Sequence, residues 1–228
     1  MGKSDVVQRL LEGLKRLEYR GYDSSGVAVI HDDTILRRRA AGKIANLEAT
    51  LQEHPIKGNL GIGHTRWATH GEATTYNAHP HGNEHVCLVH NGIIENFAEL
   101  KKDLQEKGHV FESETDTEVI VHQLSEFLTA GLEPLEAVQK TLSVLEGAFS
   151  LVIMFQKYPN LMICTRSGSP LVLGQGQDEV FVGSDALALA PWTQDLIYLK
   201  EKDIVVIESE SPTPMITIYN DHGQVVTR

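Results

Sequence analysis

The chain has 228 residues, 41% hydrophobic and 22% charged, a composition that suits one large globular domain and excludes a disordered or low-complexity protein. Its 20 Lys and Arg against 31 Asp and Glu give a net charge of −11, which repels a nucleic-acid backbone. Because no apolar run approaches the ~20 residues of a membrane helix and no signal peptide opens the chain, we expect a cytoplasmic protein whose partners include neither nucleic acid nor membrane.

The first part of the chain predicts a helix, a hairpin and a second helix. Apolar residues spaced three and four apart predict a helix that Ser4 caps and that ends near Gly21. Two β-rich runs then flank the turn residues Asp32 and Asp33, which is typical of a hairpin. A short helix follows around Leu47.

The middle of the chain predicts strands that carry polar groups and then three helices. The runs LGIGHTRW and HVCLVHNG are β-rich and end in polar stretches, which is typical of strands that deliver side chains to the rim of a sheet. Asn96 is placed to cap a helix, and Thr115 with Glu118 forms a capping box for the next one. A third helix covers Pro134 to Leu145. The remainder is mostly strands, so we predict an α+β layered architecture.

Side chains suited to chemistry concentrate between Gly63 and Asp116. The guanidinium of Arg66 can bind a carboxylate through two parallel hydrogen bonds, or it forms a surface ion pair. Asn91 and Gly92 offer a side-chain NH₂ and a backbone NH, the donors that stabilise an oxyanion, although Asn-Gly also marks turns. Asp116 lies near the start of a predicted helix, where its charge either interacts favourably with the helix dipole or binds the ammonium group of a ligand.

The histidines and cysteines give weaker evidence for a metal site or a reactive thiol. Six of the eleven histidines lie close together in the sequence, which could indicate a metal site. Their spacings match those of known metal-binding motifs poorly, so we expect hydrogen-bonded structural histidines and no metal or cofactor. These histidines are His64, His70, His79, His81, His85 and His90. Cys87 and Cys164 lie in apolar runs and are expected to be inert core thiols.

Several long motifs give the chain a specific resemblance. The chain contains, in this order, the motifs LEYRGYDSSG, HTRWATHG, HNGIIEN, SETDTE, RSGSPLV and SDALAL. With these motifs it resembles the glutaminase domain of the glucosamine-6-phosphate synthase family, whose members are class II glutamine amidotransferases. The resemblance runs from about Asp5 to the C-terminus and implies the four-layer αββα sandwich of N-terminal nucleophile hydrolases. It also implies hydrolysis of glutamine to glutamate and ammonia, with the ammonia passed to sugar isomerase domains that make glucosamine 6-phosphate from fructose 6-phosphate. Residues 1–228 are then the glutaminase domain, without those isomerase domains.

The resemblance also assigns roles to individual residues. It implies that Arg66 binds the α-carboxylate of glutamine and Asp116 its α-ammonium group, with Thr69 and His70 in the same loop as Arg66. It implies that Asn91 and Gly92 form the oxyanion hole and that Arg20 and Gly21 form the wall of the pocket near the nucleophile. Trp67 belongs to the loop expected to cover bound glutamine.

The family's nucleophile has no counterpart at the start of this sequence. Family members begin with a cysteine whose thiolate attacks the amide, whereas this chain begins Met1-Gly2-Lys3-Ser4. We therefore expect a shortened form that folds without the family's first strand and does not turn over glutamine. An unpaired sheet edge invites a second copy, which leaves a homodimer open.

Two other functions remain open at this point. A module that binds an amino acid without hydrolysis would keep Arg66 and Asp116, and ligand would raise its melting temperature. A metal-dependent hydrolase built on the histidines would be sensitive to chelators.

Overall fold

The computed structural model describes residues 1–2, 4–67, 71–209 and 213–228, and within them the chain forms helices and antiparallel sheets. The helices are α1 (Val7–Leu17), α2 (Ile44–Glu53), α3 (Phe97–Glu106), α4 (Glu118–Thr129), α5 (Pro134–Val144) and α6 (Ala186–Leu189), with a 3₁₀ turn at Glu18–Arg20. The strands are β1 (Ser24–His31), β2 (Thr34–Ala41), β3 (Leu60–Arg66), β4 (His81–Gly82), β5 (Val86–Ile94), β6 (Gly147–Phe155), β7 (Tyr158–Ser167), β8 (Val172–Gly176), β9 (Glu179–Gly183), β10 (Asp195–Tyr198), β11 (Ile204–Glu208), β12 (Met215–Tyr219) and β13 (Val225–Val226).

The strands form three antiparallel sheets in two layers. One sheet has seven strands in the order β13-β12-β11-β7-β6-β5-β4, and two three-stranded sheets have the orders β2-β1-β3 and β10-β8-β9. One buried apolar cluster joins residues from all three sheets, so both small sheets pack on the same face of the large one. Its members include Ile30 of β1, Val89 of β5 and Leu173 of β8.

Helices cover the outer face of each layer. Leu104, Val119 and Val138 from α3, α4 and α5 pack against the other face of the large sheet. Leu11 of α1 and Leu47 of α2 pack against the outer face of the β2-β1-β3 sheet. The order from outside to outside is helix, sheet, sheet, helix, which confirms the predicted α+β class and αββα sandwich.

Alternation along two strands explains how apolar runs end in a polar site. Successive side chains of a strand point to opposite faces, so Leu60 and Ile62 of β3 point into the layer between the sheets, and Arg66 continues that row. On β5, Val89 belongs to the same interlayer cluster, and Asn91 is the next residue of its row. Both strands therefore run out of the apolar core into polar side chains at one end of the sandwich.

The predicted helices exist, but the predicted caps are wrong. Ser4 does not cap α1; its hydroxyl accepts from Arg9 Nη1, 2.9 Å away, and Asp5 Oδ1 accepts from the backbone of the first helical residue. Asn96 precedes α3 without a side-chain cap, because its amide bonds the backbone of Val144 and Glu146 instead.

The capping box at Thr115 and Glu118 is also absent, since α4 begins only at Glu118. The Glu118 carboxylate accepts from the backbone N–H groups of Glu112 and Ser113, at 2.8 and 2.7 Å, and so fixes the segment before the helix. Across the described ranges, no helix combines the length and apolar character needed to cross a membrane.

Candidate functional site

A cavity of about 400 Å³ lies between the two sheet layers, where the ends of β3 and β5 meet α1 and β9. Apolar residues such as Ile62, Val89 and Val182 line one part of it. The polar lining residues include Arg20, Gly21, Arg66, Asn91, Gly92 and Asp116. The structure thus brings together residues from four sequence motifs around one cavity, which has room for an amino acid.

Arg66, the last residue of β3, is 4% exposed and is held by its surroundings. Nη1 donates to Glu72 O at 3.0 Å and Nη2 donates to Gly71 O at 2.8 Å, while Asp23 Oδ1 lies 3.5 Å from Nη1. A guanidinium fixed in this way is preorganised to bind a carboxylate. Arg66 does form an ion pair, with Asp23, but its side chain is buried and not on the surface as the alternative from the sequence had it.

The loop that receives Arg66 is tied to the segment before Asp116. Asn77 Nδ2 donates to Glu72 O and to Glu114 Oε2, both at 3.0 Å, and Asn77 Oδ1 accepts from the backbone of Glu114. The hydrogen bond from Asn77 lowers the pKa of the exposed Glu114 carboxyl, so this link holds in its charged form. The backbone that accepts from Arg66 is therefore linked directly to the segment before Asp116.

Asp116 is 3% exposed and lies two residues before α4. Its Oδ2 accepts from Ile94 N at 2.8 Å, a bond that ties the carboxylate to the end of β5. Asp116 and Arg66 line the same cavity, so the wall of the cavity carries both an anion and a cation. These charges are complementary to the two charged groups of a zwitterionic amino acid. Because Asp116 also lies at the N-terminal end of α4, both interpretations from the sequence are compatible with this position.

Asn91 and Gly92 stand side by side on β5, opposite β6. Gly92 has φ of +126°, and a Cβ built there would come 2.0 Å from Ala148 O, so only glycine fits. Asn91 Oδ1 lies 2.8 Å from His64 Nε2 on β3, and this contact joins the two sheet layers at the cavity.

Arg20, Gly21 and Trp67 lie together at the edge of the cavity. Arg20 pairs through Nη2 with the carboxylate of Asp185, and its Nε donates to the hydroxyl of Tyr19 at 3.0 Å. Gly21 has φ of +105°, and a Cβ there would collide with the Trp67 ring, so the indole packs directly on the backbone. Trp67 is 69% exposed.

Thr69 and His70, predicted to belong to the same loop as Arg66, lie outside the described residues.

The remaining described histidines near the cavity bind hydroxyl groups. His79 Nε2 and His90 Nδ1 each lie 3.0 Å from Thr117 Oγ1, and His81 Nε2 lies 3.2 Å from Thr115 Oγ1. The expectation of hydrogen-bonded structural histidines is confirmed for these three.

Both cysteines lie in the apolar layer between the sheets, away from the cavity lining. Burial raises the pKa of the Cys87 thiol to about 12 and raises the pKa of Cys164 as well. The expectation of inert core thiols agrees with this placement.

Sequence reasoning missed several residues that support the site. Asp23 balances the charge of Arg66, Asn77 and Glu114 secure the loop, and Asp185 holds Arg20. The motif containing Asp23 was visible in the sequence, but its pairing with a residue 43 positions later depends on the antiparallel register of β1 and β3.

The fold and the site define a glutamine amidotransferase. Residues 64–191 match the glutamine amidotransferase domain family, and the chain belongs to that family. Glutamine–fructose-6-phosphate aminotransferase (isomerizing) of Bartonella henselae is 54% identical over 100% of this chain and 37% of its own length, and the enzyme of that name from Zymomonas mobilis is 53% identical with the same coverage. The chain thus spans little more than a third of the curated relatives it matches.

Solved structures agree with the family. The glutamine phosphoribosylpyrophosphate amidotransferase of B. subtilis superposes with a TM-score of 0.77 at 26% identity, covering 94% of this chain and 47% of that one. A structure described as the allosteric regulatory enzyme of purine biosynthesis gives a TM-score of 0.76, also at 26% identity, and covers 91% and 46%.

Proposed function

We propose that residues 1–228 are the glutaminase domain, of the glutamine amidotransferase type 2 class, of an enzyme that makes glucosamine 6-phosphate from fructose 6-phosphate. The observation that carries the proposal is the placement of a buried cation, a buried anion and the Asn91-Gly92 pair around one cavity. The names of the two relatives reported above support fructose 6-phosphate as the sugar substrate. Because those relatives are nearly three times as long, the proposal names sugar isomerase domains as the partner that receives the ammonia.

Glutamine binding follows from charge and geometry. Arg66 binds the α-carboxylate and Asp116 binds the α-ammonium group, which leaves the side-chain amide to extend toward Asn91 and Gly92. The proposal also assigns glutamine binding to Thr69 and His70, which follow Arg66 in the sequence. Trp67 covers the ligand and limits the access of water.

Hydrolysis requires a thiolate at the amide carbon. Attack forms a C–S bond and moves the carbonyl electrons onto oxygen, where Asn91 Nδ2 and Gly92 N donate hydrogen bonds to the oxyanion. Collapse restores the carbonyl and breaks the C–N bond, and the proton that the thiol gave up is transferred to the leaving ammonia. Water then hydrolyses the thioester, which releases glutamate and regenerates the thiol. Arg20 and Gly21 form the wall beside the attacking sulfur.

The chain's two thiols do not meet this requirement, since Cys87 and Cys164 are absent from the cavity lining. This observation favours a second function for the polypeptide by itself, namely binding of glutamine without turnover. We expect no glutamate release above a buffer control when the purified chain is incubated with glutamine, with and without added Zn²⁺ or EDTA. Steady release that EDTA abolishes would favour the metal-dependent hydrolase instead.

Calorimetric titration tests the binding mode. Asp116→Asn keeps the shape and the acceptor for Ile94 N but removes the charge, so we expect glutamine to bind roughly 10- to 100-fold more weakly, the usual loss for a hydrogen bond between charged groups. The matched control Asp221→Asn changes an exposed carboxylate far from the cavity and should bind normally.

A ligand without the α-amino group, 4-carbamoylbutanoate, sharpens the test. The wild-type chain should prefer glutamine over this analogue, and Asp116→Asn should lose that preference. Wild-type protein that binds neither ligand, or a variant that keeps the preference, would contradict the assigned roles.

Two further proposals concern the surroundings of the domain. Phosphorylated sugars and free glutamine are cytoplasmic metabolites, so we propose that the enzyme acts in the cytoplasm. A homodimer stays a prediction, and light scattering on the eluting chain would show whether the mass corresponds to one or two copies.

A further inference from the structure

We infer that His64 is a positioning residue that sets the orientation of the Asn91 amide, so that its NH₂ group faces the cavity and can donate to the oxyanion. The inference rests on the proposed function, because only amide hydrolysis gives that orientation a purpose. It adds a residue from the other sheet layer to the oxyanion hole.

The geometry of the contact determines which atom carries the proton. His64 Nε2 lies 2.8 Å from Asn91 Oδ1, and an amide oxygen accepts but cannot donate. With Oδ1 placed toward the imidazole, Nε2 is the ring nitrogen that carries the proton. With Oδ1 used in this way, the Asn91 Nδ2 group is left for the cavity, and no partner for it is found among the described residues of the chain.

The imidazole is held so that it can perform this role. His64 is buried on β3, and the ring of His79 packs against it at a tilt of 32°, with centroids 4.3 Å apart. Burial lowers the pKa of His64 to about 4, so the ring is neutral near pH 7 and carries a single proton. A neutral donor suits this position, since a cation here would repel the nearby Arg66 guanidinium.

Without this donor, the two orientations of the Asn91 amide become similar in energy. One of them places Oδ1 toward the cavity, where it would repel a developing oxyanion. A single neutral hydrogen bond biases such a choice by about tenfold, so loss of the donor should bring the minor orientation to a readily detected population.

Nuclear magnetic resonance on the ¹⁵N-labelled chain tests the inference directly. Long-range ¹H–¹⁵N correlation reports the tautomer of His64, and we expect the proton on Nε2 in the unliganded protein. A proton on Nδ1 would overturn the inference, because Nε2 would then accept from Asn91 and turn the amide oxygen toward the cavity.

Variants separate positioning from packing. In His64→Leu we expect the Asn91 side-chain NH₂ signals to split or broaden, whereas His64→Gln, whose amide offers a donor near the same place, should restore one sharp pair. The matched control His81→Leu also removes a buried histidine, one that contacts Thr115, and should leave the Asn91 signals unchanged. Equal effects of His64→Leu and His81→Leu would show a merely structural role.

The two proposals fail in different ways. If glutamine does not shift the Asn91 NH₂ signals of the wild-type chain, the proposed function is wrong, while the tautomer and the effect of His64→Gln still decide the positioning role. If glutamine shifts those signals equally in wild-type and His64→Leu protein, the positioning role is wrong and the proposed function stands. Should His64→Leu not fold, the wild-type tautomer and His64→Gln give the answer.

Discussion

Replacement of Gly92 by alanine tests the backbone geometry of the proposed oxyanion hole. The new Cβ would lie 2.0 Å from Ala148 O and 2.8 Å from the Cα of Phe149, both on the paired strand β6. Neither backbone atom can rotate away, so β5 and β6 must separate locally. At φ of +126° the alanine is also strained, at a cost of about 1–3 kcal/mol.

A control variant separates the loss of unfolding free energy that comes from backbone strain from the loss that comes from the collision. Gly108 has φ of +96° with no atom within 4 Å of an added Cβ, so Gly108→Ala carries strain alone. We expect this control to lose about 1–2 kcal/mol of unfolding free energy. Gly92→Ala should lose about 4 kcal/mol, since it also weakens roughly two ladder hydrogen bonds at about 1 kcal/mol each.

Urea denaturation followed by circular dichroism measures both variants, and thermal melts give a second reading. At about 2–4 °C per kcal/mol for a domain of this size, Gly92→Ala should melt roughly 10 °C below the wild type and Gly108→Ala only a few degrees below it. If the two variants lose the same free energy, the contact with β6 does not restrict residue 92 and the geometric reasoning is refuted.

Three more outcomes follow from burial in and around the cavity. Since the pKa of His64 falls from 6.5 to about 4 on folding, the unfolded chain binds the proton first as pH drops, and about 2 kcal/mol of stability should be lost between pH 6.5 and 5; urea titrations should show a shallower loss for His64→Gln. Cys87 and Cys164 should resist iodoacetamide at pH 8 in the folded protein and both react in urea, as mass spectrometry would show, and fast labelling of the native chain would contradict their burial. Gly21→Ala should displace the Trp67 ring and change its fluorescence, and an unchanged emission spectrum would exclude the packed contact.

The sequence predicts the elements well because their signals are local. Three- and four-residue apolar spacing locates α1, and the Asp32-Asp33 turn locates the β1-β2 hairpin. The caps were predicted wrongly because Asn96 and Glu118 bond to backbone groups outside their own helices, where tertiary contacts outweigh local preference. Two-residue strands such as β4 leave no periodic signal at all.

The site was predictable in its composition but less so in its contacts. Motif density between Gly63 and Asp116 indicates the region, and the resemblance supplies roles that the residue types alone leave open. The pairing of Arg20 with Asp185 joins residues 165 positions apart, and the contact of His64 with Asn91 joins two different sheets. Such contacts depend on how layers dock, which no local pattern encodes.

The contact between β3 and β5 makes the cavity sensitive to the fit of the whole sandwich. Arg66 stands on one sheet and Asn91 on the other, so any slippage of the layers would separate the proposed contact with the ligand's α-carboxylate from the proposed contact with its amide. Substitutions deep in the interlayer core, far from any ligand atom, should therefore weaken affinity for glutamine in proportion to how far they shift one sheet over the other. Conversely, a bound ligand contacts both sheets and holds them together. The resistance of the two sheets to sliding past each other should therefore rise with ligand concentration.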